Sequence, residues 1–399
     1  MTQPKTHNSN IERARQTLKD AVAVRRADIG DTRVASAIQA IAWQNGELLL
    51  DEALGHRYLP ATGGTIDTRM NFDTPMDIAS LTKPLVTATL LMQAVDAGLA
   101  AFDDPISRHL PEWAHVAEPS EHDAAREAAT LLHLLSHSSG LPAWDRFYLR
   151  FPLDPTPEVA QNTRATIMAS IANTPLEAAP GTRHCYSDLG YLLLGHILEK
   201  IFGQRLHALA NTRIFAPLGM THTRYISLED GDRPLQNAAA TEDCALRERL
   251  VIGTVHDENT EIIGGVAGHA GVFSTARDLL KFCRHLLEID QGITDVPGII
   301  GRETLRFCLS ERARSAGATA TPGHHLGGWD TPSGEKTSAG EGFRRGNTVG
   351  HLGFTGTSIW IERDLGLIAI LLTNRVYPSR ENPRIKALRV GFHEAILPG

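Results

Sequence analysis

The 399-residue sequence predicts an α+β fold, with one antiparallel sheet built from both chain ends and a mainly helical stretch between them. Three observations predict it. A hairpin pattern opens the chain: Ala37–Trp43 alternates in hydrophobicity, Asn45-Gly46 suits the positive φ of a two-residue turn, and Glu47–Leu54 returns. Two strand patterns close the chain, at 357–361 and 367–373, around a turn at Arg363-Asp364. From Ser80 to about residue 220 the apolar residues recur at helical spacing. These readings place residues 11–75 and 264–399 in an α/β lobe and residues 76–263 in a mainly helical lobe with inserted loops.

Each element has its own warrant. Residues 11–27 read as an amphipathic helix, with Ile11, Leu18, Ala21 and Val22 on one face. Ser80 to Gly98 reads as a helix whose first turn carries Ser80 and Lys83. Asp103-Asp104-Pro105 begins a short segment to Leu110-Pro111. Thr130–Ser139 is a predicted helix stopped by Gly140 and Pro142. Residues 157–173 form another, and Asp188–Phe202 a third, ended by Gly203. Residues 226–263 carry no clear pattern. Gly264–Phe273 is rich in glycine and alanine and reads as a close-packed wall, followed by a helix from Ser274 to Leu287. Residues 312–347, rich in Gly, Ser and Thr, read as a long loop of the kind that shapes a site. A last helix is expected over 383–396.

Composition narrows the function. Hydrophobic residues at 42% and charged residues at 21% describe a globular chain able to bury a large core. The net charge of −7 is scattered and no basic stripe occurs, so nucleic acid is not expected as a partner. Met1–Asn10 is polar and no apolar run approaches bilayer length, which predicts a cytoplasmic protein with no membrane partner. The four cysteines, at 185, 244, 283 and 308, lack metal-ligand spacing and are expected to be reduced and mostly buried. No metal and no cofactor is called for. Nothing in the sequence bears on oligomeric state.

Three short motifs carry the chemistry. Ser80-Leu81-Thr82-Lys83 places a hydroxyl and an ammonium on one face at a helix start, where free N–H groups and the helix dipole favour negative charge. Alone, this spacing also fits an N-cap serine and a solvated lysine. Tyr186-Ser187-Asp188 stands at a turn before a helix, and His351-Leu352-Gly353 leads toward a C-terminal strand.

In that order and separation the motifs resemble the class C β-lactamase superfamily, which includes D-alanyl-D-alanine carboxypeptidases and family VIII carboxylesterases. Leu134–Pro142, Tyr186–Tyr191, Pro217-Leu218-Gly219-Met220, Gly264–Thr275 and His351–Thr357 are similar to further segments of that family, so the resemblance covers nearly the whole chain. It implies the β-lactamase/transpeptidase-like fold. It also implies Ser80 as nucleophile, Tyr186 as base and later acid, and Lys83 as its charge partner. The backbone N–H groups of Ser80 and Phe354 would form the oxyanion hole. Free lysine and tyrosine titrate near pH 10, so a base at neutral pH needs a coupled pair in which each lowers the other's cost.

Two departures bear on substrate. His351 stands where β-lactamases and carboxypeptidases of this fold usually carry lysine, and a histidine is mostly neutral at pH 7. Asp188 stands where they usually carry asparagine, and a carboxylate cannot donate to a substrate carbonyl. That leaves Asp188 to hold Lys83 or His351. Both changes point to a small ester lacking a carboxylate, ahead of a β-lactam or D-amino-acid amide, with a catalytically silent scaffold as the remaining reading. His351, Gly353, Asp188 and Trp144 are the expected substrate-binding residues. Phe147 and Tyr148 are further pocket candidates for which core packing is the default. His256-Asp257-Glu258-Asn259 reads as a polar loop, and His137 as a hydrogen-bonded structural histidine.

Overall fold

The computed structural model describes residues 3–23, 32–59, 67–293, 298–310, 313–314, 325–333 and 337–398. Its centre is a seven-stranded sheet in the order Glu47–Gly55, Ala37–Gln44, Leu367–Thr373, Ser358–Glu362, Thr348–Leu352, Trp329–Asp330 and His325–Leu326. Every neighbouring pair is antiparallel. The two ends of the chain meet in register, Ile41 opposite Ile370 and Trp43 opposite Ile368. The opening hairpin turns through Asn45 and Gly46, at φ 47° and 96°.

Residues 367–372 are apolar without alternation because both faces of the sheet are covered. Leu367, Ala369 and Leu371 pack under the two terminal helices, against Leu18, Leu388 and Phe392. Ile368, Ile370 and Leu372 face the opposite core, with Phe282 of helix Ala276–Gln291 and the middle helices. That helix starts on Thr275, whose hydroxyl accepts the Asp278 N–H, and stops at Gly292. Helix Asp188–Phe202 is capped by Ser187, which accepts from Gly190, and ended by Gly203 at φ 65°.

Several boundaries depart from expectation. The first helix is Gln3–Val22, not 11–27, and residues 24–27 of the expected span lie outside the described residues. The polar segment before residue 11 joins the helix because backbone hydrogen bonds need no apolar face. The helix expected from Thr130 is only Leu131–Leu135, since the chain turns through His137 at φ 58° and Gly140 at φ 88°. The unassigned stretch 226–263 holds a hairpin, Ala240–Cys244 with Arg249–Ile252, and the short helix Glu258–Ile262. Within the expected loop 312–347, Leu326 and Trp329 pair and extend the sheet. Strands of two residues leave no period to detect.

Buried Asn374 locks the first strand to the last. Its Oδ1 accepts the Ala37 N–H at 2.8 Å, and its Nδ2 donates to Ser36 Oγ and to the Ala240 carbonyl. Asn374→Ala is expected to cost about 1–3 kcal/mol by orphaning these groups, read as a lower denaturant midpoint with an unchanged m-value. No helix among the described residues is long and apolar enough to cross a membrane.

Candidate active site

The expected helix from Ser80 to Gly98 is three consecutive pieces: a 3₁₀ turn at Ala79–Leu81, a π-helical stretch at Lys83–Ala88, and an α-helix at Thr89–Asp96. Ala79 sits at φ 48°, a left-handed conformation that costs an L-residue about 1–2 kcal/mol. Buried Asp77 holds it there: one carboxylate oxygen accepts the Ala79 N–H at 2.8 Å, the other the His256 N–H at 2.7 Å. The chain therefore turns sharply just before Ser80 and presents its hydroxyl to a cleft of ≈ 1030 Å³.

Three distant segments converge there. Lys83, fully buried, donates to Ser80 Oγ at 3.0 Å and to the His269 carbonyl at 3.2 Å, and its Nζ lies 2.7 Å from Asp188 Oδ1. An ammonium has only donors to offer, and these acceptors surround it. The Tyr186 side chain hydrogen-bonds with both Lys83 and Ser80. The Lys83 Nζ also sits 4.8 Å from the Tyr186 ring centroid and 5.6 Å from that of Tyr191. Asp188 is the first helical residue after the Ser187 cap, not the cap itself, and of its two candidate partners it holds Lys83.

Lys83 favours the tyrosinate, the direction expected of a cation beside a phenol, but other influences prevail over it. Burial works to lower the Lys83 pKa, but Asp188 and Tyr186 outweigh it and hold Lys83 above its ordinary value. Burial raises Tyr186; Lys83 opposes this, and Asp188 adds to it. The resting pair is thus an ammonium and a neutral phenol.

His351 lies in strand Thr348–Leu352, 2% exposed, its ring 6.0 Å from that of Tyr186. Its Nδ1 donates to the Leu352 carbonyl at 2.8 Å, which leaves Nε2 as a bare acceptor without a partner. Burial, aided by Lys83, pushes its pKa down to about 3, so the ring is neutral at pH 7. His184 and His325, 3.1 Å apart between ring nitrogens, line the same wall. His137 Nδ1 accepts the Ser187 N–H at 3.0 Å, consistent with the structural part expected of it.

Gly353 and Phe354 follow. A Cβ at Gly353 would lie 2.0 Å from Thr357 Oγ1 and 2.6 Å from the Ile78 carbonyl, so this strand approaches the Ser80 turn closely only because the residue is glycine. Thr355 and Thr357 pin the approach by donating to the carbonyls of Asp77 and Ile78. Gly353→Ala is expected to push the Phe354 N–H away from Ser80 and lower kcat by about 100-fold with KM little changed, measured by steady-state kinetics. The Phe354 side chain is half exposed at the cleft, stacked on His256 and 4.5 Å from the Arg375 guanidinium.

Trp144 lines the cleft as expected, whereas Phe147 is buried in the core and Tyr148 packs against it. The polar segment 256–259 leads into the short helix Glu258–Ile262 and is mostly shielded from solvent. His256, Glu258 and Asn259 are buried and Asp257 is partly buried, and His256, Asp257 and Glu258 line the cleft. Asp257 pairs with His269, whose carbonyl receives Lys83, and Glu258 pairs with Arg380. Only the burial of a run of ion-paired acids distinguishes this segment from a surface loop, and a sequence does not display burial. Glu242, Cys244 and Glu258 offer ligand atoms within 4.8 Å of one another, but Arg380 already bridges the two carboxylates and Arg247 donates to the thiol. All four cysteines are free, three of them buried. Gly264 and Gly265 do not line the cleft; a Cβ at Gly265 would lie 2.2 Å from the Ile226 carbonyl, and His269 and Ala270 form the wall instead.

Comparison with known proteins identifies the family and the fold. A relative from Escherichia coli (strain K12), named "Putative D-alanyl-D-alanine carboxypeptidase", is 29% identical over 403 residues, spanning 96% of this chain and 86% of its own. A Salmonella typhi protein of the same name is 28% identical, over 88% of this chain and 81% of its own. Among solved structures, EstCE1, described as a hydrolase with promiscuous acyltransferase activity, superposes with a TM-score of 0.67 at 20% identity, covering 98% of this chain and 99% of that one. The unliganded simvastatin synthase (LovD) of Aspergillus terreus gives 0.69 at 21%, covering 97% and 98%. At these identities the two structures establish the shared fold. The Beta-lactamase family model matches residues 15–391, a span that holds the Ser80 turn, the Tyr186 segment and the His351 strand, and the chain belongs to that family.

Proposed function

We propose that the protein is a serine hydrolase that opens small esters through an acyl-enzyme on Ser80. The observation that carries this reading is the meeting of one hydroxyl, one ammonium and one phenol within hydrogen-bond reach in a single cleft. Tyr186, once deprotonated, takes the Ser80 proton as Oγ attacks the ester carbonyl. Lys83 stabilises the phenolate charge that this requires. The carbonyl oxygen becomes an oxyanion facing the N–H groups of Ser80 and Phe354. Tyr186 then returns the proton to the leaving alcohol, and water repeats the cycle in reverse to free the acid.

A D-amino-acid peptidase is the second reading, favoured by the name of the curated relatives. The absence of a lysine at His351 and of an amide donor at Asp188 weighs against it. Parallel kinetics with a short-chain aryl ester, a chromogenic cephalosporin and a D-Ala-D-Ala peptide separate the readings. We expect the ester to give the highest kcat/KM; faster turnover of the peptide or the cephalosporin reverses the ranking.

A further inference from the structure

One pair of side chains in the cleft has no part in the mechanism above. Asp257 and His269 line the cleft with Ser80. Asp257 Oδ1 lies 3.0 Å from His269 Nε2. A carboxylate only accepts, so Nε2 carries a proton and donates it. Burial works to raise the Asp257 pKa, but His269 and Thr260 outweigh it and hold the carboxylate well below its ordinary range. The same oxygen accepts the Thr260 N–H at 2.7 Å and the Thr260 hydroxyl at 2.9 Å, which fixes it at the start of helix Glu258–Ile262. His269 is 1% exposed and its Nδ1 has no partner, so the carboxylate is the main anchor of the ring.

The backbone of residue 269 meets the proton-handling groups. Its carbonyl accepts from Lys83 at 3.2 Å and, among the described residues, from no other donor. The preceding carbonyl is fixed by other means. Gly268 accepts the Thr87 hydroxyl at 2.6 Å, and a Cβ there would lie 2.2 Å from the Tyr191 carbonyl. The chain is thus held at 268, and the aim of the next carbonyl depends on how residue 269 itself is held. The other neighbours of Lys83, Ser80 Oγ and the Asp188 carboxylate, sit on side chains that can rotate.

We propose that Asp257 and His269 are positioning residues for the base: their hydrogen bond fixes the His269 carbonyl, which holds the Lys83 ammonium beside Tyr186. This rests on the roles proposed for Tyr186 and Lys83. Lys83, Asp188 and Ser80 act on the phenol, and the rings of His137, His325 and His351 lie 4.4, 5.3 and 6.0 Å from its ring. The link from the pair to that group runs through Lys83.

Carbon-13 NMR of protein labelled at tyrosine Cζ reads the Tyr186 titration without substrate, its signal assigned by loss in Tyr186→Phe. A displaced ammonium stabilises the phenolate less. We expect His269→Ala and Asp257→Ala each to make the phenol about tenfold weaker as an acid, and the double variant to be no weaker than either. His269→Gln, whose amide can still donate to Asp257, should restore most of the loss. Should His269→Ala not fold, Asp257→Ala against His269→Gln reads the same difference. A direct charge effect would instead make the phenol a stronger acid in Asp257→Ala, since an anion is removed. That result, a titration left in place by both alanine variants, or no difference between Gln and Ala at 269 overturns the proposal. Turnover of phenyl acetate by the unaltered enzyme is read separately and bears on the hydrolase reading alone.

Discussion

Replacing Tyr186 with phenylalanine is expected to slow acylation by at least ~100-fold while leaving the fold and the Lys83–Asp188 pair in place. The ring stays in its packing, 4.4 Å from that of His137, so the substitution removes the phenol oxygen and little else. Lys83 cannot readily take over. It already donates to Ser80 and to the His269 carbonyl and pairs with Asp188, and its pKa is held above the ordinary lysine value. Pre-steady-state release of an aryl leaving group is the measurement. A near-normal acylation rate in Tyr186→Phe would move the base role to Lys83.

The second large effect is expected from Asp188→Asn, and it concerns pH. A step that needs the deprotonated phenol speeds up as pH rises through the pKa of the coupled pair. Burial raises the Tyr186 pKa and Asp188 raises it further, so the unaltered enzyme should gain activity on the alkaline side of neutrality. Asparagine removes that negative charge. The Tyr186 pKa then falls, Lys83 loses its main counterion, and the rising limb of kcat/KM moves to lower pH. The asparagine variant should therefore outpace the unaltered enzyme below neutrality. Profiles of kcat/KM from pH 5 to 10 read the shift, and a limb that stays in place or moves to higher pH contradicts the role given to Asp188. His351, with its pKa near 3, contributes no titration in that window.

Much of this was legible in the sequence because it rests on local chemistry. The Asn45-Gly46 turn, the apolar run 367–372 and the glycine stop at 203 each act on the chain near them, and each is where pattern placed it, whereas the helix expected to end at Leu287 runs on to Gln291. The three motifs were visible as motifs. Their charge states were not, because the effect of Asp188 on Tyr186 depends on a 2.7 Å contact with a third residue and on burial. The left-handed Ala79 escaped notice because alanine is not a residue that signals positive φ, and the Asp77 contacts that hold it join residues far apart in the chain.

Treatment of the unaltered protein with a fluorophosphonate probe, followed by peptide mass spectrometry, tests the central claim most directly. The account predicts a single adduct on Ser80, with labelling slowed in Lys83→Met and Tyr186→Phe. An adduct on another serine, or ester turnover with Ser80 left unlabelled, would contradict it.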